Sequence, residues 1–252
     1  MQENMTVVSH NLIAKNIYEL VMHGDITRNM KTPGQFVHIR VGDSSEFMLR
    51  RPISICNVDS DAETLTCLYR ADGKGTKALS KAKEGDTIDI LAPLGNGFPV
   101  EAARNCALLI GGGIGVPPLY ELSKQLNARG IKTIHVLGFQ SQADIFYEDK
   151  FKALGETHIA TADGSYGTKG FVTDVIKNLL DSYDTFYTCG PVMMIKAIEQ
   201  VLPDTEGYVS LEERMGCGIG ACYACVCKAD NAHGYVKICT DGPVFKKGEL
   251  AL

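Results

Sequence analysis

The chain has 252 residues, 45% of them hydrophobic and 22% charged, which is enough for two compact domains and has the balance of an ordinary globular protein. Its net charge of −5 argues against a nucleic-acid backbone as partner, because no basic field would neutralise phosphates. The opening MQENMTVVSHNLIAK lacks a charged segment followed by an apolar one, and the longest uncharged run, 106–120, is too short for a bilayer, so the expectation is a cytoplasmic protein with no membrane partner.

Residues 1 to about 100 read as strands separated by turns. Residues 36–41 alternate after the turn signal Pro33-Gly34, and 47–56, 65–69 and 87–91 follow at short spacing. No long helical period interrupts them, so a small antiparallel barrel is expected. Arg51-Pro52-Ile53-Ser54 lies on one of these strands. The planar fork of Arg51 suits a pyrophosphate, and the Ser54 hydroxyl can meet a flavin ring nitrogen. Leu68-Tyr69-Arg70 lies on the next strand, and Gly75 and Thr76 can bring N–H and hydroxyl donors to a phosphate where a helix begins. Taken alone, Arg-Pro-x-Ser is equally a surface arginine beside a strand-breaking proline. The breakers of 92–97, Ala-Pro-Leu-Gly-Asn-Gly, mark a domain boundary.

From about residue 104 strands alternate with helices. A buried strand at 106–110 leads through Gly111-Gly112-Gly113-Ile114-Gly115-Val116-Pro117-Pro118 into a helix over 118–128, with Gly130 at its C-cap. Strands at 133–137, 158–161 and 185–188 and helices over 172–180 and 192–201 complete a mostly parallel sheet covered on both faces. Gly111, Gly112, Gly113 and Gly115 let the backbone approach a diphosphate, although the last glycine of G-x-G-x-x-G is missing; a plain tight turn is the alternative. Phe139-Gln140-Ser141-Gln142 offers no arginine to a 2′-phosphate, which favours NAD over NADP. Cys189 ends the last strand at the sheet edge where ligands bind. It is the candidate catalytic residue near a nicotinamide, or else a structural cysteine.

Nine cysteines without an export signal point to metal or redox chemistry rather than to disulfides. Cys56, Cys67, Cys106 and Cys189 are scattered, whereas Cys217, Cys222, Cys225, Cys227 and Cys239 crowd into the tail, 208–252. Four residues separate Cys217 from Cys222, two separate Cys222 from Cys225, and thirteen separate Cys225 from Cys239, the opening of a plant-type 2Fe–2S pattern. Gly216, Gly218, Gly220, Ala221 and Ala224 are small enough for a loop to wrap closely around a cluster. A structural zinc site also takes four thiolates, but usually on two Cys-x-x-Cys hooks, and only one is present. Cys227 would be a fifth thiol with no vacancy to fill, and is read as a packing cysteine.

The order of barrel, RPIS, GGGIGVPP and CGPVMM resembles the ferredoxin–NADP reductase superfamily, and the tail SLEERMGCGIGACYACVCK…ICTDGPVF resembles the electron-transfer subunits of type B dihydroorotate dehydrogenases. The resemblance covers essentially the whole chain. It implies an α+β multidomain protein: an antiparallel β-barrel FAD domain over 1–100, an α/β parallel-sheet NAD domain over 101–207, and a small 2Fe–2S domain over 208–252. It assigns FAD to Arg51, Pro52, Ile53, Ser54, Leu68, Tyr69, Arg70, Gly75 and Thr76, and the cluster to Cys217, Cys222, Cys225 and Cys239. At Ile53 the superfamily more often has an aromatic residue, and Cys227 is outside the family's ligand pattern. The implied partner is an FMN-containing dihydroorotate dehydrogenase catalytic subunit, in a heterotetramer of two plus two. The implied role is transfer of electrons from dihydroorotate oxidation through the cluster and FAD to NAD⁺. A related flavin/iron–sulfur reductase subunit serving ferredoxin or sulfur compounds is the nearest alternative, and a zinc-bearing interaction module a more distant one.

Overall fold

The computed structural model describes residues 1–42, 45–179 and 183–252. Six antiparallel strands close a barrel in the order β1-β2-β5-β4-β3-β6: β1 (Gln2–Ala14), β2 (Ile17–His23), β3 (Phe36–Ile39), β4 (Arg51–Asp59), β5 (Thr64–Arg70) and β6 (Thr87–Leu94). Inward residues such as Met5, Leu20, Val37, Ile55, Leu65 and Ile90 fill it and are at most 1% exposed. Each contributes about 1.5–3 kcal/mol by leaving water. A short helix, α1 (Lys74–Leu79), follows β5.

The barrel is as expected, with differences in detail. The first two strands were not foreseen. The strand expected at 47–56 starts only at Arg51, because Ser45–Phe47 is a 3-10 turn and Met48 and Leu49 are surface residues.

The second layer is a seven-stranded sheet among the described residues, in the order β10-β9-β8-β7-β11-β12-β15. Its strands are β7 (Cys106–Gly112), β8 (Lys132–Phe139), β9 (Glu156–Thr161), β10 (Thr168–Lys169), β11 (Thr185–Cys189), β12 (Glu206–Ser210) and, from the tail, β15 (Val244–Lys246). All pair in parallel except β15, which runs antiparallel to β12. The helices are α2 (Pro117–Ala128), α3 (Glu148–Lys152), α4 (Val172–Ile176) and α5 (Val192–Val201). The helix expected over 172–180 is shorter, and Leu180 lies outside the described residues. Along β7, Leu108 and Ile110 pack toward α4 and α5, while Ala107 and Leu109 pack toward α2. Both faces are therefore dry, which is why β7 reads as a continuous apolar run.

The chain leaves β7 for β8, β9 and β10 on one side and returns to β11 on the other. The reversal falls between β7 and β11, where open α/β sheets form their ligand crevice. Two joints orient the barrel on this sheet. Glu121 of α2 is 7% exposed and accepts the Val58 N–H at 3.1 Å, and Lys124 donates to Asn57 Oδ1 at 2.5 Å. At the other joint, the Asn96 amide donates to the carbonyls of Thr240 and Asp241 at 3.1 and 3.0 Å, tying the end of the barrel to the tail. The tail adds the hairpin β13 (Val226–Lys228) and β14 (Tyr235–Lys237).

Candidate functional site

A cleft of about 560 Å³ opens where barrel, sheet and tail meet. The barrel lines it with Phe36, Pro52, Ile53, Ser54, Leu68, Tyr69, Arg70 and Thr76, and Ile114 of the glycine-rich turn closes one end. Strand pairing builds this wall: Phe36 of β3 sits opposite Ser54 of β4, and β4 pairs with β5 at Ile55 and Cys67. Tyr69 faces inward instead, 1% exposed, with its hydroxyl 2.8 Å from Nε2 of His10; only its main chain is left for a ligand. Arg51 lies just outside this cleft and packs on Gly75, where any side chain would collide with its guanidinium. The Thr76 hydroxyl caps its own helix, accepting the Gly73 N–H at 3.2 Å. Arg70 crosses from the barrel toward the glycine-rich turn, with its guanidinium 3.4 Å from where a Gly113 side chain would begin.

The turn itself straddles the sheet's reversal. Gly113 takes φ +54°, and a β-carbon on Gly112 would lie 2.5 Å from the Met194 sulfur. A side chain on Gly115 would run into the Cys189 carbonyl. These glycines therefore let the β7 turn nest against the loop after β11. Cys189, opposite Gly111 in the ladder, is fully buried, and burial pushes its thiol well up. A buried neutral thiol offers bulk and shape, not a thiolate.

In the tail the four expected cysteines come together as two pairs. The thiols of Cys217 and Cys222 are in contact, as are those of Cys225 and Cys239. Main-chain N–H groups point at the sulfurs: Ile219 and Ala221 donate to Cys217 at 3.4 and 3.2 Å, and Gly220 donates to Cys239 at 3.2 Å. Desolvation pushes the Cys217 thiol up, but these donors and Cys222 outweigh it and bring it down to about 7. Burial and the nearby Cys225 push Cys239 up to about 11, against the Gly220 N–H. Among the described residues no three His, Cys, Asp or Glu side chains converge on one point where a single ion could sit. Paired thiols met by main-chain donors suit the two irons of a 2Fe–2S cluster, each iron taking two cysteine ligands. The Cys227 thiol turns to Glu213, 3.7 Å from its carboxylate, and burial first, then Glu213, pushes it up to about 11.

One wall was not foreseen in the sequence. Ser210, Leu211, Glu212, Glu213, Arg214 and Met215 run from β12 along the cleft into the cysteine loop. They carry no motif; the only signal is their position directly after a strand's C-terminal end. Glu212 is exposed to the open cleft yet set deep in the molecule, so desolvation raises its carboxyl while Arg70 opposes the rise.

Known proteins share this arrangement. Residues 212–251 match the iron–sulfur cluster binding domain of dihydroorotate dehydrogenase B, and 109–200 match the oxidoreductase NAD-binding domain. The dihydroorotate dehydrogenase B (NAD(+)) electron transfer subunit of Lysinibacillus sphaericus (strain C3-41) is 60% identical, over 100% of this chain and 99% of the relative. That of Geobacillus sp. (strain WCH70) is 58% identical over the same shares. Among solved structures, a chain of an NADH-dependent reduced ferredoxin–NADP oxidoreductase, studied for flavin-based electron bifurcation, superposes with a TM-score of 0.88. It is 30% identical, over 98% of this chain and 89% of that one. A ferredoxin NADP⁺ reductase from Neisseria gonorrhoeae with bound FAD and NADP shares the fold at 19% identity and TM-score 0.69, over 84% and 94% of the two chains. With full-length relatives this similar, the chain belongs to the family of electron transfer subunits of NAD(+)-linked dihydroorotate dehydrogenase B.

Proposed function

We propose that this chain delivers electrons from dihydroorotate oxidation, carried out on a separate catalytic subunit, to NAD⁺ in pyrimidine biosynthesis. The observation that carries the reading is continuity: the segment lining one wall of the flavin-motif cleft runs directly into the loop of paired thiols. When bound, FAD supplies exchange between the two-electron hydride chemistry of NAD and the one-electron chemistry of a 2Fe–2S cluster.

The chain's own residues hold and orient these groups. Arg51 and Arg70 offer charge to the FAD pyrophosphate, and Ser54, Pro52 and Ile53 face its ring system, with main chain from Leu68 and Tyr69. Gly75 and Thr76 supply donors at the start of α1. Gly111, Gly112, Gly113 and Gly115 present main chain to the NAD diphosphate, and Cys189 shapes the floor beneath the nicotinamide. Cys217, Cys222, Cys225 and Cys239 ligate the cluster. The division of labour is 1–100 for FAD, 101–207 for NAD and 208–252 for the cluster.

Ile219 and Tyr223, 59% and 51% exposed beside the cluster ligands, suit a face covered by the catalytic subunit. That partner carries FMN, in an assembly of two plus two. A cytoplasmic location suits thiols that must stay reduced. No helix among the described residues is long and apolar enough to cross a membrane. The reading of a reductase subunit serving ferredoxin draws on the 30% identical chain, whereas full-length relatives at 56–60% identity favour the present one.

A visible spectrum with iron, sulfide and flavin analysis of the protein purified without oxygen tests the cofactor set. Flavin with two irons and two sulfides per chain is expected. A colourless, zinc-loaded protein would contradict the reading.

A further inference from the structure

His38 lies at the centre of β3 and is 0% exposed. Across the ladder it sits opposite Pro52, inside the flavin-motif strand. Its ring reaches the cysteine loop. Gly218 takes φ +71°, and a β-carbon there would lie 2.5 Å from His38 Nδ1. The imidazole is thus packed between the strand that lines the flavin cleft and the loop that carries Cys217.

Both ring nitrogens are buried with no hydrogen-bond partner. The main chain of Arg50 and of Cys217 lies within loose reach of the ring, but neither nitrogen has a partner at full hydrogen-bond geometry. A neutral imidazole carries one N–H donor and one acceptor, and buried polar groups are rarely left unmatched. Leucine would fill similar space at no such cost. The strand side of the ring cannot adjust, since β3 is paired on both edges and Arg50 is anchored on Asp89 at 2.6 Å and on the His38 carbonyl at 3.3 Å. On the loop side, the described contacts are N–H donors to the sulfurs at 3.2–3.4 Å and the Lys237 ammonium on the Gly220 carbonyl at 3.1 Å.

We infer that His38 is a positioning residue: its ring N–H donates to the Cys217 carbonyl once the loop closes on its cluster, pinning the cluster to the flavin-motif strand. The inference rests on the cluster and FAD assignment above. Partners of this outer kind fix a ligand's orientation and tune the metal's electronics. Here the same contact also fixes the separation between the two redox centres.

The test compares the full-length wild type with His38→Leu and His38→Gln, all loaded anaerobically with iron, sulfide and FAD. Leucine removes the donor at similar size, and glutamine restores an N–H. The readings are iron and FAD content, the EPR g values and midpoint potential of the reduced cluster, and the rate at which electrons redistribute between flavin and cluster after mixing with NADH. The Leu variant should keep FAD but either lose iron or carry a cluster with shifted g values and potential and at least tenfold slower redistribution. The Gln variant should recover most of the wild-type behaviour. A Leu variant that loads fully and matches the wild type in potential, g values and rate overturns the inference. So does a Gln variant no better than Leu, including the case in which neither folds, because the ring would then be core filling alone. A wild-type protein that takes up no iron–sulfur cluster sinks the cluster assignment itself, whatever the variants do.

Discussion

At the scale of single residues, the cysteine loop makes the sharpest statement. Four thiols meet as two pairs, and the fifth, Cys227, is turned toward Glu213. Replacing Cys217, Cys222, Cys225 or Cys239 by Ser should abolish the cluster or change its EPR spectrum, while Cys227→Ser should keep full iron and sulfide content. Loss of iron in Cys227→Ser with Cys239→Ser unaffected would reverse the ligand assignment. On the barrel, Arg51 is poised between Gly75 and the loop at Leu49, with no acidic partner among the described ion pairs. An arginine held this way is available to a phosphate. Arg51→Ala should therefore lose about 1.5–3 kcal/mol of FAD binding. That is roughly a ten- to hundredfold weaker dissociation constant, read as flavin retained through gel filtration. Unchanged retention would place the pyrophosphate elsewhere.

At the scale of elements, β8 and the segment after it carry one prediction each. Under α2, His135 is fully buried, 2.8 Å from the Ser123 hydroxyl and 2.9 Å from that of Thr157, and burial lowers it from 6.5 to about 3. Between those values the unfolded chain binds a proton that the folded protein refuses, so His135 withdraws stability as pH falls below about 6.5. The loss from pH 7 to pH 5 should be about 2 kcal/mol. Urea unfolding at the two pH values should show it in the wild type and a shallower drop in His135→Gln; equal drops would assign the acid sensitivity to other groups. Beyond β8, the segment Gln140–Gln142 offers no cation, and the Asp144 carboxylate accepts the Ser141 hydroxyl at 2.7 Å. A 2′-phosphate would meet negative charge there, so kcat/KM should favour NADH over NADPH by at least tenfold, corresponding to about 1.4 kcal/mol. A preference for NADPH would place the adenosine ribose against another loop.

The same elements show what the sequence makes legible. The helix over 192–201 and the strands near 106, 133 and 185 follow from strong periodicity and from burial on both faces. β1 was missed because it is long and polar at about half its positions, with only Met5 and Val7 fully buried. The false start of β4 came from the apolar run Phe47-Met48-Leu49, in which Phe47 packs on the barrel core from a 3-10 turn while Met48 and Leu49 are exposed. The grouping of Cys217, Cys222, Cys225 and Cys239 was legible because their spacing is that of a single ligand loop. The 210–215 wall and His38 were not, because their roles arise from contacts between segments far apart in the chain.

The whole molecule is arranged so that three sites share one centre. Glu121 and Lys124 fix the barrel to α2, Asn96 ties it to the tail, and β15 stitches the tail into the sheet. The flavin cleft, the glycine-rich turn and the cysteine loop thereby share one framework. In the proposed reading dihydroorotate is oxidised on the catalytic subunit, because the cleft among the described residues is the one assigned to FAD. The decisive measurement is NAD⁺ reduction driven by dihydroorotate, made with this chain alone, with the catalytic subunit added, and with that subunit plus a Cys222→Ser chain. The account predicts NADH oxidation by an artificial acceptor but no dihydroorotate turnover for the chain alone, full coupled activity for the pair, and loss of coupling with Cys222→Ser. Dihydroorotate turnover by the isolated chain, or normal coupling without the cluster, would contradict it.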